Sequence, residues 1–250
     1  MSNQKPNAPE QNNVQTFYEH PTLDRLTGHY TVEWENSDGT QQIKVHNRIT
    51  DLEGHAPSLF SLMRLPKVVK SYRDAKRHPI LPEPVPFLVL DAIAFLEQKL
   101  EPGMRVLEIG GGNSTLWFLA QGCEVHTIEH SPDWAEHMRG FAEERLGSEA
   151  CERMHLHVEQ GEDAIAHIES LDEQSFDIVL VDCMNEFTWR KDCVRAGRSK
   201  VKPGGWMCLD NSDHPNNWNA AELMLDKERI RFTGWAPMCS VVTQTSFWQM

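Results

Sequence analysis

The six cysteines of this 250-residue chain (Cys123, Cys151, Cys183, Cys193, Cys208, Cys239) include no CxxC pair, and several fall in apolar runs where Cys behaves as a small hydrophobe. Neither a zinc site nor a disulfide framework is predicted. No apolar run reaches membrane-spanning length, and the opening MSNQKPNAPEQNNVQ lacks the apolar core of a signal peptide. These absences point to a cytoplasmic protein with no membrane partner, and residues 1–16 are polar enough to be predicted disordered. A basic surplus is also missing. Lys and Arg number 24 against 37 Asp and Glu, and the imbalance lies beyond residue 80, where 14 basic residues face 28 acidic ones. Duplex nucleic acid is therefore disfavoured as a partner, because phosphate binding depends on clustered Lys and Arg. A small-molecule substrate is the better default, with the oligomeric state left open, a homodimer included.

A hydrophobic content of 40% over this length supports one main core with an accessory segment. Three divisions follow: the disordered start at 1–16, an N-terminal extension at 17–85, and a main domain at 86–250. Residues 29–46 alternate apolar and polar side chains around Ser-Asp-Gly and read as a β-hairpin. The helix-like PSLFSLMRLPKVVKSYRDAKRHP is interrupted by Pro66 and carries Arg64, Lys67, Lys70, Arg73, Lys76 and Arg77, either a solvated face or a cationic wall beside an acidic substrate. Prolines at 78–86 mark a strap, and a helix from Phe87 to Leu100 follows. The remainder alternates strands (MRVLEI, EVHTIE, MHLHV, FDIVLVD, GWMCLD) with helices led by Ser114, Ser131, Gly161 and Thr188, which predicts a mostly parallel sheet covered on both faces. After a helix near Trp218–Asp226, IRFTGWAP and VVTQTSFW suggest an antiparallel pair closing the sheet edge.

In an open α/β sheet ligands sit at the carboxyl ends of the strands. The first strand ends in Glu108 and a Gly110-Gly111-Gly112 turn, followed by Asn113, Ser114 and a helix start whose free amides receive anions. The second ends in Glu129, 17 residues past Gly112, a suitable place for a carboxylate that accepts two ribose hydroxyls. A dinucleotide would set its pyrophosphate beside the Glu108 carboxylate, which repels it, and the usual third glycine is Thr115. S-adenosylmethionine brings no phosphate, and its sulfonium and ammonium suit Glu108.

VLEIGGGNS, VHTIEHS, GEDAI, FDIVLVD and VKPGGWMCLDN, taken in order, resemble the motifs of class I S-adenosylmethionine-dependent methyltransferases. The resemblance runs from about Pro86 to the end. It implies a Rossmann-like α/β fold, a seven-stranded, mostly parallel sheet with helices on both faces and its last strand antiparallel, here preceded by a hairpin and helical extension. It further implies that Glu108, Gly110, Gly111, Gly112, Asn113 and Ser114 line the methionine end, that Glu129 holds the ribose with His130 beside it, that Glu162 and Asp163 border the adenine, and that Asp182 closes the pocket.

For the reaction centre, Asp182, Asp210 and Asn211 are similar to the magnesium ligands of catechol-type O-methyltransferases, which makes magnesium an optional cofactor. Those enzymes place a lysine three positions after the first aspartate, where this chain has Asn185. LDNSDHPNNW, FTGWAP and the terminal TSFW resemble instead a bacterial methyltransferase group without assigned substrates, in which the Asp-Asn pair need not bind metal. There His214, on the loop after the fifth strand, joins Asp182 as a candidate to take a proton from an oxygen or nitrogen nucleophile. His155 and His157 share one face of MHLHV and are read as structural. Two other classes stay in view. A spermidine-synthase-like aminopropyltransferase shares the fold but continues its fourth strand into Asp-Pro, absent here, and an inert cofactor-binding module would not need acidic ends on four strands.

Overall fold

The structure, a computed structural model, describes residues 23–24, 29–35, 41–75, 84–183 and 189–250. The expectations attached to residues 1–16, to the Ser-Asp-Gly turn, to Lys76, Arg77, Pro79 and Pro82, and to Asn185 and Thr188 lie outside the described residues.

Strands β1 (Leu23–Asp24), β2 (His29–Glu35) and β3 (Gln41–His46) form a small antiparallel sheet, with Tyr30 opposite His46 and Glu35 opposite Gln41. The predicted hairpin is present and gains a third strand. Helices α1 (Leu59–Met63) and α2 (Leu65–Ala75) follow. The Ser58 hydroxyl caps α1 by accepting the Ser61 N–H at 3.0 Å, and Pro66 falls in the first turn of α2, where its missing N–H has no intrahelical partner to lose.

The main domain runs α3 (Leu90–Glu97), β4 (Arg105–Ile109), α4 (Asn113–Ala120), β5 (Glu124–Glu129), α5 (Pro132–Leu146), α6 (Ser148–Glu152), β6 (Met154–Val158), α7 (Gly161–Ser170), β7 (Phe176–Val181), α8 (Trp189–Gly197), β8 (Val201–Asp210), α9 (Pro215–Glu222), β9 (Arg229–Gly234) and β10 (Thr243–Gln249). Its strands form one seven-stranded sheet in the order β6-β5-β4-β7-β8-β10-β9. The pairs from β6 through β8 are parallel, and β10 is antiparallel to both its neighbours. This is the Rossmann-like class I arrangement. The two last strands do pair, but β10 inserts between β8 and β9 and leaves β9 at the edge.

The central strands read as near-continuous apolar runs because both faces are covered. Successive residues alternate between two cores: Val106, Ile178 and Phe247 pack with Leu88, Leu116 and Phe118 on one face, and Leu107, Val179 and Trp248 with Ile168, Val194 and Met224 on the other. Ser131 caps α5 ahead of Pro132, accepting the Trp134 N–H at 3.3 Å. Helix α9 starts at Pro215, three residues before the expected Trp218, because a cap followed by proline at the first helical position is a stronger start signal than the apolar pattern. From β4 the chain steps outward to β5 and β6, then returns to place β7 on the other side of β4. That reversal opens a crevice above the carboxyl ends of β4 and β7.

Candidate cofactor and reaction site

The glycine turn closes that crevice from one side. Gly110 adopts φ +92°, and a Cβ there would lie 2.5 Å from the Asp182 carbonyl oxygen, so only glycine lets the turn rest on the end of β7. At Gly112 a Cβ would meet nothing within 4 Å, so open space faces the start of α4, where Asn113 and Ser114 are buried. The backbone amides there are suited to a carboxylate.

Glu108 lies beneath the turn with no exposed surface. Its Oε2 accepts hydrogen bonds from Thr115 Oγ1 at 2.5 Å and Thr127 Oγ1 at 3.1 Å, whereas Oε1 has no partner. Burial pushes its pKa up to about 7, against the pull of the surrounding hydroxyls. A buried carboxylate with one oxygen unmatched is a place for a proton or a nearby cation.

Glu129 ends β5 and is also buried. Its Oε2 accepts the Gly111 N–H at 2.9 Å and its Oε1 the Ser131 N–H at 2.8 Å, and His130 Nδ1 stands 2.8 Å from Oε1. That hydrogen bond to Glu129 raises the His130 pKa. Oε1 already meets two partners, whereas Oε2 has one and keeps a lone pair, so Glu129 links the glycine turn to the next loop and still offers an acceptor to a ribose hydroxyl. Beside it a shallow cleft, partly open to solvent, is lined mainly by apolar side chains, among them Ile109, Ile128, Ile165 and Trp189, with His130 and Glu159 as polar members. An apolar slot with a polar rim suits a purine. Glu162 and Asp163 do not line it; both are exposed in the first turn of α7, whose Ala164 and Ile165 face the cleft instead. Glu159 is a strand-end acid of the same kind as Glu108 and Glu129, one residue past β6. The strand-end rule points to it once the end of that strand is extended by one position.

At the ends of β7 and β8 the sequence signal was incomplete. Asp182 pairs with Arg190, Nη2 to Oδ1 at 3.2 Å, and Arg190 is itself buried, donating from Nε to the Cys183 carbonyl at 2.6 Å and from Nη1 to the Asp210 carbonyl. No motif in the sequence marked this arginine. Burial raises the Asp182 pKa, with Arg190 opposing, and burial raises that of Asp210 well above the usual carboxylate range. Asp210 Oδ1 accepts the Thr245 hydroxyl at 2.5 Å, and Asn211 Nδ2 donates to Thr243 Oγ1 at 3.2 Å. The three residues do come together at adjacent strand ends, but this donor set does not fit a divalent cation. Arg190 already supplies the positive charge at Asp182, and the other two side chains are engaged with β10. His214 caps α9, its Nδ1 accepting the Asn216 N–H at 3.2 Å.

The N-terminal extension reaches the same end of the sheet. Asp213, with no exposed surface, accepts the Leu52 N–H at 3.0 Å, the Gln244 N–H at 3.1 Å and the Thr243 hydroxyl at 3.2 Å. Buried Asp51 accepts from Thr233 Oγ1 and Gln244 Nε2, both at 2.9 Å, and His46 Nε2 lies 2.5 Å from the Val242 carbonyl. Burial pushes Asp213 up to about 7 and His46 down to about 4. This network partners buried Thr243 and Gln244 of β10, while the next two polar residues are met by others, Thr245 by Asp210 and Ser246 by Ser212 and Arg229.

Residues 107–212 match a family described as Methyltransferase domain. Among solved structures the chain is similar to the O-methyltransferase TomG from Streptomyces achromogenes, involved in tomaymycin synthesis and solved with S-adenosylmethionine, at 17% identity and TM-score 0.54 over 73% of this chain and 88% of that one. It is similar in the same degree to an O-methyltransferase from Bacillus cereus solved with S-adenosylhomocysteine, at 17% identity and TM-score 0.54 over 75% and 91% of the two chains. At such identities the likeness shows a shared fold. No curated protein sequence matches the chain.

Proposed function

We propose that this chain, whose residues 107–212 match a methyltransferase domain, transfers a methyl group from S-adenosylmethionine to an oxygen of a small-molecule acceptor, without a metal ion. The pair of buried Arg190, from α8, with the partly exposed Asp182 at the end of β7 carries this reading. The solved relatives of the same fold, named as O-methyltransferases, agree with it.

S-adenosylmethionine supplies an electrophilic methyl group when bound. The chain's own residues would hold it as follows. The amides opening α4 and the open side of Gly112 receive its carboxylate, and Glu108 balances its cationic end from below. Glu129 takes the ribose hydroxyls, and the cleft beside His130, Ile165 and Trp189 takes the base. On the acceptor side, Asp182 holds a raised pKa through burial, which strengthens it as a proton acceptor for a hydroxyl, and Arg190 keeps its carboxylate in place. Arg190 also offers positive charge where an alkoxide develops. Direct displacement needs alignment and exclusion of water, and the segment from His46 to Leu52, bonded to Val242, Gln244 and Asp213 beside the ends of β8 and β10, is placed to assist. His214 is the alternative base, and its capping bond to Asn216 competes with that role. The six free thiols support a reducing, cytoplasmic setting.

The test is turnover after exhaustive chelation, followed through S-adenosylhomocysteine release from a panel of hydroxylated and amine acceptors. Retained activity on hydroxyl acceptors supports the proposal. Loss on chelation with recovery on magnesium, or transfer to amines alone, refutes it.

A further inference from the structure

Two clusters of three metal-ligating side chains lie on the sheet's β5–β6 margin: Glu124, His126 and His155, and His157, Glu159 and His167. They differ in what already fills them. In the first, Arg105 stands 3.3 Å from Glu124 Oε1 and 3.2 Å from His126 Nε2, so a guanidinium takes the position of a cation. In the second, no Lys or Arg pairs with any of the three among the described residues. Its histidine rings lie 4.2 Å apart between centroids, His167 Nδ1 is 2.9 Å from Glu159 Oε1, and the three ligating atoms fall within 4.8 Å of one another. Glu159 Oε2 is buried without a hydrogen-bond partner.

We propose that His157, Glu159 and His167 form a binding site for a zinc-class divalent transition metal, outside the reaction centre and independent of the acceptor chemistry. Two imidazoles and a carboxylate are a donor set that such ions prefer over magnesium. Metal–ligand bonds of about 2.0–2.2 Å place tetrahedral ligand atoms roughly 3.3 Å apart, so the observed cluster needs only a small adjustment, and a fourth position remains for water. Binding exchanges the proton that His167 Nδ1 shares with Glu159 for the metal, the proton leaving to solvent, and the unmatched Oε2 gains a use. The ion would tie the edge strand β6 to α7 at the mouth of the cofactor cleft, which Glu159 also lines. His157 shares one face of β6 with His155, the pattern that suggests a structural role from sequence, and Glu159 and His167 reach it from beyond that strand.

The experiment is titration of the full-length, chelator-stripped protein with zinc against a chromophoric competitor, with cobalt as a spectroscopic substitute. One equivalent is expected to bind, with a rise in melting temperature. The variant H157A is expected to weaken it by more than the roughly 10- to 100-fold that loss of an outer partner costs. If H157A does not fold, H167N gives the same reading from the helix side. H126A is expected to bind zinc like the parent. The proposal is overturned by undiminished binding in folded H157A and H167N, by loss in H126A instead, or by a cobalt spectrum with a thiolate band, which would assign the ion to the free cysteines.

Discussion

The proposed cofactor half and the proposed acceptor half of the crevice are built by different rules. At the ends of β4 and β5, Glu108, the glycine turn, Thr115 and Glu129 lie within 22 residues, and their contacts are short-range or between paired strands. At the ends of β7, β8 and β10, Asp182 pairs with Arg190 and Asp210 with Thr245, while Asp213 and Gln244 meet Leu52 and Asp51 from the extension, across separations of up to 193 residues. A ligand that is always the same can be held by one contiguous motif. An acceptor pocket assembled from distant segments can change its shape without disturbing that motif, so the two halves are expected to fail separately when mutated.

The largest separation is expected at Asp182. Changing it to Asn removes the proposed proton acceptor and is expected to lower kcat by about 10² to 10⁴. Cofactor affinity in the same variant should shift little by calorimetry, and a parallel collapse of both quantities would merge the halves. Glu129→Ala is the converse experiment. Loss of charge-assisted hydrogen bonds of about 1.5–3 kcal/mol predicts at least roughly tenfold weaker cofactor binding. Unchanged affinity in a folded variant would remove Glu129 from the site.

Asp213→Asn tests the seam between extension and sheet. Asp213 accepts from three donors, and an amide nitrogen in place of one oxygen would face an N–H, so a loss of about 1–3 kcal/mol of stability is expected in denaturant titration. Catalysis should fall with cofactor binding retained. The smallest effect concerns pH. Glu108, raised to about 7, must be ionised to balance a cation, so cofactor affinity should rise with pH up to about 7 and level off above it. In Glu108→Gln the slope should vanish, and a persistent slope would point to His130 instead.

The strand boundaries show how much was legible. EVHTIE and MHLHV coincide with β5 and β6, because apolar runs bounded by turns and acids are local signals. The position of β10 between β8 and β9 was not readable, since pairing partners are chosen by burial across the whole sheet. Glu108, Glu129 and Asp182 could be singled out from their places at strand ends. Glu162 and Asp163 were adjacent to the cleft in sequence, yet the helical turn of α7 directs Ala164 and Ile165 inward and leaves the two acids in water.

By itself, then, the order of apolar runs, glycines and strand-end acids determined the class of fold, the crevice and the sort of ligand proposed for it, because each is set by periodicity or by residues a few positions apart. Only the tertiary structure decided that Arg190 neutralises Asp182 where a magnesium ion was one expectation, that Asp51 and Asp213 meet over β10, and that His157 finds Glu159 and His167. Those outcomes depend on which buried charges end up within a few ångströms of each other. In a low-dielectric interior each charge must find a partner from whatever segment the fold brings near, and sequence separation carries no record of that distance.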